Sequence, residues 1–360
     1  MIERGTKDLD MDPSLDWGMD EIPPFEGAPF ELVRSSCRHA VHVAKDVAID
    51  EAALHRFAKQ IDTSLVKGIL HSSLGENLDT VPGEFRHCQE AVNFALLFCL
   101  LQFGHGFRFA LHQYCHRGAS QTIALGVRAL HRTGNLSAVR LRSLATSDIE
   151  EAFALPQAPE LTMFVQQLQT VLHQAGTILE RLELEDFSGF VDQHVFGASA
   201  ARKIPATTLV QQLAHHFQAF NDQGVLRDGS RVVLLKKATL AIGELRRLAA
   251  PHDERYSLSP DFHQAVAPVD NVIPAMLVYR GILRLSFPLH QRIHQERSLL
   301  TRGPQEAELR SVALDACEQI VSATGNAVTA LDLGYYLWRS GKEAGARQFA
   351  RHHTQNTVFY

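Results

Sequence analysis

The sequence predicts a mainly α-helical fold: a single large helical body of two packed lobes, with few short strands. Three observations carry this expectation. Apolar residues recur at three- and four-residue steps along most of the 360 residues, the spacing that lines one face of a helix. Alternating runs of strand type are scarce. No GxGxxG or GxxxxGK[ST] follows a strand.

Residues 1–30 are expected to be an irregular tail, because Met11-Asp-Pro, Trp17 and Pro23-Pro24 sustain no period. Residues 31–360 then form the helical domain. Asp50 precedes an Ala/Leu run and marks a helix over 50–61. Weaker periodic segments follow at 87–102 and 118–131, and Ser147-Asp148 starts another before Ile149. The strongest pattern is Leu161 to Leu182, where Phe164, Val165, Leu168, Val171, Leu172, Ala175 and Leu179 share a face. Further helices are expected at 206–218, 236–250, 270–284, 305–322 and 329–341, the last capped by Thr329. Strands are expected at Lys45–Asp50 and, after an Asp228-Gly229 turn, at Arg231–Leu235. Loops near Pro156–Pro159 and Gly197–Pro205 are the places where lobes would divide. The ending Arg351 to Tyr360 closes on two aromatics, which suggests that it packs back on the body.

Composition narrows the function. With 35 Lys+Arg against 40 Asp+Glu, the formal charge is −5, and no basic run is present. That argues against a protein that coats nucleic acid, where phosphate neutralisation dominates affinity, but not against a pocket for one nucleotide. At 45% hydrophobic and 21% charged residues, the bulk of the chain is not disordered. No apolar run is long enough to span a membrane, and the acidic start does not read as a signal peptide. Five cysteines without a CxxC pair fit a reduced, cytoplasmic compartment.

Histidine is abundant, with 19 residues, including the pairs His112/His116, His215-His216 and His352-His353. The i,i+4 spacing puts two imidazoles on one helical face, yet the metalloprotease glutamate is missing and no carboxylate sits nearby in sequence. No metal is expected, and the histidines read as surface and boundary residues.

Four segments carry residues suited to chemistry. In Asn93-Phe94 … Gln102-Phe-Gly-His-Gly-Phe-Arg108, an apolar helix runs into alternate glycines. Close backbone approach, aromatic faces for a base and an arginine fork for phosphate are one reading; a glycine-terminated helix end is the other. In Lys236-Lys237 … Glu244, adjacent lysines on a helix point about 100° apart, so one can face inward while the other is solvated; a wholly solvated charged face is the other reading. In Pro268-Val-Asp270-Asn271, an Asp-Asn pair before an apolar run reads as a helix cap, or as a carboxylate held at a helix start and aimed into a pocket. Tyr335-Tyr336-Leu-Trp338 supplies either core packing or the wall of a ring-binding pocket.

In this order the segments resemble the queuosine salvage protein family, the queuosine 5′-phosphate N-glycosylase/hydrolases, from about residue 30 to the end. The resemblance rests on Val33-Arg-Ser-Ser-Cys-Arg, Val47-Ala-Ile-Asp50, Ala91-Val-Asn-Phe94, Gln102 to Arg108, Val233 to Leu240, Val269 to Leu277, Tyr335 to Trp338 and Thr357 to Tyr360. It implies a fold distantly similar to helical DNA glycosylases and hydrolysis of the N-glycosidic bond of queuosine 5′-monophosphate. The products would be queuine, a 7-deazaguanine base, and ribose 5-phosphate, feeding tRNA modification. It implies no cofactor, no nucleic-acid polymer and no membrane as partner.

On that resemblance Asp270 is the expected catalytic carboxylate, stabilising oxocarbenium charge or activating water. Lys236 is the second catalytic candidate. Asn271, Asn93 and Glu244 are expected to touch substrate. Phe103, Phe107, Tyr336 and Trp338 are expected to stack the base, and Arg108 and His105 to bind the 5′-phosphate. Lys237 is expected to be the solvated lysine. The departures from the family pattern are Leu235, Thr239, Glu244 and His105. They keep open a second reading, a relative that binds a nucleotide or base without cleaving it.

Overall fold

The computed structural model describes residues 25–69, 85–134, 136–198, 202–257, 259–295 and 299–360. Most of the expected tail, residues 1–24, lies outside them. Its last two residues already belong to the first helix, α1 (Pro29–Val43), which Pro29 opens.

The architecture is mainly α-helical. A short strand β1 (Val47–Ile49) leads into α2 (Glu51–Gln60) and α3 (Thr63–Ile69). Asp50 caps α2 by accepting from Ala53 N, the cap visible in the sequence. Then α4 (Cys88–Leu100) crosses the interior. Every residue from Ala91 to Leu100 is buried, so this helix is apolar all round, as an interior helix must be. Short α5 (Arg108–Cys115) and longer α6 (Ala119–Thr133) follow, then α7 (Ala138–Ser143), α8 (Thr146–Ala152) and α9 (Pro159–Arg181).

The buried face of α9 carries Leu161, Phe164, Val165, Leu168, Val171, Leu172, Ala175 and Leu179, as its period predicts. Gly176 lets α7 lie directly against this helix, since a Cβ there would stand 2.5 Å from Ala138 O. After α10 (Phe187–Phe190) and α11 (Ala206–His216), β2 (Gln223–Val225) and β3 (Arg231–Val233) form an antiparallel hairpin. Its turn contains Gly229 at φ +84°, so the Asp-Gly signal was a true one.

The last third builds α12 (Lys236–Leu248), α13 (Val272–Tyr279), β4 (Leu283–Leu285), α14 (Phe287–His290), α15 (Pro304–Ala323), α16 (Ala330–Ser340) and α17 (Ala344–Arg347). The expected helix over 270–284 is a correction. It stops at Tyr279, and Gly281 at φ +71° reverses the chain into β4. There Leu283–Leu285 pairs antiparallel with β1, Val47 opposite Leu285. An apolar run after a helix cannot be told from more helix by periodicity alone.

α4 packs on α12 and α6, α12 on α11, α13 on α16, and α1 on α15. Buried apolar side chains from Phe30 to Val358 join in one cluster. No single helix among the described residues is long and apolar enough to cross a membrane.

Candidate active site

Five pieces of chain converge on a cavity of about 390 Å³. They are the exit of α4 from Gln102 to Arg108, the end of α5 with the start of α6 from His112 to Gln121, the start of α12, the start of α13, and α16 with the segment beyond it to Tyr360.

The start of α13 supplies a carboxylate. Asp270 Oδ1 accepts from Val272 N at 2.7 Å and Ile273 N at 3.3 Å, capping the helix. Both readings of Asp270 therefore meet in one residue, because the capping carboxylate also lines the cavity. Oδ2 accepts no hydrogen bond among the described residues. Asn271, beside it, donates from Nδ2 to His352 O and ties α13 to the chain's last segment.

The start of α12 supplies a lysine. Leu235 takes φ +52°, a left-handed conformation unusual for a leucine, and the turn sets Lys236 toward the cavity. Lys236 is 6% exposed, and its Nζ donates to Gln102 O at 3.3 Å. Burial lowers its pKa, and the Asp270 charge opposes that shift.

Lys237 is not the solvated lysine that the sequence suggested. It is fully buried, donating to Leu100 O and Val358 O at 2.5 Å each, with its ammonium 5.3 Å from the Phe103 ring centre. Burial, then the neighbouring Lys236 charge, pushes its pKa well down. A buried lysine must place its donors on such carbonyl oxygens.

The rim is cationic. Arg108, Lys342, Arg347 and Arg351 line the cavity. None of Arg108, Arg347 and Arg351 has a carboxylate partner among the described residues; Arg351 donates only to Gly341 O. Partial burial and then Arg347 lower the Arg108 pKa. Partial desolvation, then Arg351, Arg339 and Arg347, push Lys342 down to about 8. Asp270 is the one carboxylate whose charge acts on Arg351 and Lys342, so the gathered positive charge exceeds it and favours an anion. By contrast Glu244, 2% exposed, is already paired with Arg247 at 2.7 Å.

The aromatic candidates divide. Phe103 and Trp338 line the cavity, and Lys342 Nζ stands 3.7 Å from the Trp338 ring centre. Phe107 does not line it and packs on Phe164, ring centres 5.2 Å apart. Tyr336 does not line it either; its ring lies under Arg280. Its neighbour Tyr335 takes the position, donating to Leu240 O at 3.3 Å. Gly243 leaves room for that hydroxyl, since a Cβ there would stand 2.3 Å from it. Tyr335, Trp338 and Lys342 fall at i, i+3 and i+7, one helical face, so spacing alone would have favoured Tyr335. Asn93 is set apart from the cavity: it donates to Asp186 Oδ2 and accepts from Ser188 N, joining α4 to α10.

His105 lines the cavity with no nitrogen to spare. Its Nε2 accepts from Thr354 N at 3.1 Å, which leaves the proton on Nδ1, donated to the main-chain oxygen of Tyr360 at 3.1 Å. Burial, followed by His352 and His353, keeps its pKa well below the usual value. Both ring nitrogens of His105 are thus engaged by the returning chain, and neither is free for the phosphate contact that the sequence suggested. His352 and His353 are buried as well, not boundary residues, with pKa values pushed down to about 3 and about 4. The segment 351–360 does pack back on the body, and Arg351, His353 and Tyr360 also line the cavity, a role the sequence did not disclose.

No cluster of three metal-binding side chains occurs among the described residues. A family model described as "Queuosine salvage protein" matches residues 92–360. A relative from Sphaerobacter thermophilus, named queuosine 5′-phosphate N-glycosylase/hydrolase, is 26% identical over 193 residues. The match covers 53% of this chain and 56% of that relative, so the chain spans little more than half of the relative's length.

Proposed function

From a chain that belongs to the queuosine salvage protein family, we infer that the cavity hydrolyses the N-glycosidic bond of queuosine 5′-monophosphate, releasing queuine and ribose 5-phosphate. The observation that carries this reading is that one carboxylate, Asp270, shares a cavity with Arg108, Lys342, Arg347 and Arg351, none of them in a salt bridge among the described residues. Breaking a C–N bond to ribose builds positive charge on the sugar, and a phosphate brings negative charge a few atoms away. A cavity with a carboxylate at one wall and arginines at the rim matches both.

Asp270 stabilises the oxocarbenium-like sugar through Oδ2 and orients the attacking water, while Oδ1 stays fixed by the α13 main chain. Lys236 neutralises Asp270 between turnovers and binds a ribose oxygen. Asn271, held by His352 O, faces the same sugar. Arg108 and Arg351 take the 5′-phosphate, with Lys342 and Arg347 behind them. Phe103, Tyr335 and Trp338 flank the deazapurine ring. The whole helical domain, 31–360, acts as one catalytic unit in a cytoplasmic protein whose partner is a small nucleotide.

The test is incubation with queuosine 5′-monophosphate, queuosine and guanosine monophosphate, with base release followed by chromatography. Release of queuine from the first supports the reading. No release from any of them leaves a binding protein of the same fold.

A further inference from the structure

Gln102 is absorbed by none of the roles above. It follows the C-cap of α4, it lines the cavity, and its Nε2 is sealed from solvent with no hydrogen-bond partner among the described residues. Oε1 also accepts no hydrogen bond there. A carboxamide left unpaired at the wall of a polar cavity is one of the exceptions that calls for a ligand.

The amide is not loose. Gln102 N donates to Cys99 O at 3.1 Å, and Gln102 O accepts from Lys236 Nζ. The chain beyond is fixed by Gly104 at φ +96°, where a Cβ would run into the Phe164 ring at 2.4 Å. On either side in sequence, Phe98 and Phe103 line the same cavity. An amide framed by rings and backed by a pinned backbone suits the edge of a planar heterocycle better than a phosphate, for which the arginines already serve.

We propose that Gln102 reads the edge of the bound base, pairing its carboxamide with an adjacent hydrogen-bond donor and acceptor such as a guanine-type ring carries. The assignment rests on the reading that the cavity holds a nucleotide. Such a ring offers O6 beside N1–H and N3 beside the 2-amino group, so the amide matches one of the two edges whichever way it is turned. It makes Gln102 a specificity-determining residue, not a catalytic one.

The experiment titrates free 7-deazaguanine and free 7-deazapurine, which lacks the oxygen and the amino group, into the full-length wild type, Gln102→Leu and Gln102→Glu. The wild type is expected to prefer 7-deazaguanine by about 10- to 100-fold. Both variants are expected to lose most of that preference while 7-deazapurine affinity changes by less than about threefold, a pattern that general damage to the fold does not produce. A wild type without the preference overturns the assignment, and so does a variant that retains it. Hydrolysis of queuosine 5′-monophosphate by the same wild-type sample is measured separately. Preference without hydrolysis leaves Gln102 as the base reader and removes only the cleavage reading.

Discussion

Lys236 and Lys237 are neighbours in sequence with opposite tasks: Lys236 borders the cavity, while Lys237 fastens the end of α4 to the returning chain through Leu100 O and Val358 O. Replacing Lys237 by Met leaves two buried carbonyl groups without a donor. The expected loss is about 2–6 kcal/mol of stability, at about 1–3 kcal/mol per unsatisfied group. Urea unfolding checks it, and a variant as stable as the wild type would remove the fastening role.

Asp270→Asn separates the capping and chemical roles of one side chain. An amide oxygen still caps α13, so unfolding is expected to shift by less than about 1 kcal/mol. Turnover of queuosine 5′-monophosphate is expected to fall about 100- to 1000-fold, since the charge opposite the developing cation is gone. A variant that turns over at the wild-type rate would refute the assignment.

Arg108→Ala tests the cationic rim. The KM for queuosine 5′-monophosphate is expected to rise about 10- to 100-fold, the worth of a charge-assisted hydrogen bond. Queuosine itself, without the phosphate, should change by less than about threefold. Equal losses on nucleotide and nucleoside would take Arg108 out of phosphate binding.

Stability is expected to fall as the solution is acidified. His352 and His353 have pKa values near 3 and 4 when folded, below the value of about 6.5 in an unfolded chain. Between those limits the unfolded chain binds more protons, so folding weakens as pH drops from about 6.5 toward 4. Each histidine should cost about 1 kcal/mol at pH 5.5 relative to pH 7.5. Denaturant midpoints at the two pH values measure it, and a His353→Gln variant should show a shallower dependence. An unchanged slope would mean that His353 is not buried neutral.

Long periodic segments were legible in the sequence because burial there follows one helix face. Leu161 to Leu182 gave α9, and Asp50 and Thr329 gave their caps. Asp270 and Lys236 stood out in the sequence because a family pattern supplied their neighbours, and both line the cavity. What was not legible depends on long-range contact. Lys237 is buried by Val358, and the choice between Tyr335 and Tyr336 depends on which face of α16 meets Gly243. The cationic rim gathers Arg108, Lys342 and Arg351 from segments far apart in sequence. The strand β4 looked like more helix, since its partner β1 lies more than two hundred residues earlier.

The way residues 351–360 close the cavity bears on how the protein comes off the ribosome. His105 waits for Thr354, 249 positions later, and Lys237 for Val358, 121 positions later. A nascent chain that has already built α4, α12 and α13 therefore still holds an open half-site, with Lys237 bonded only to Leu100 O. Competence for ligand should arrive abruptly, once residues 351–360 have been made. A chain interrupted just before residue 351 would build those helices yet lack a working pocket.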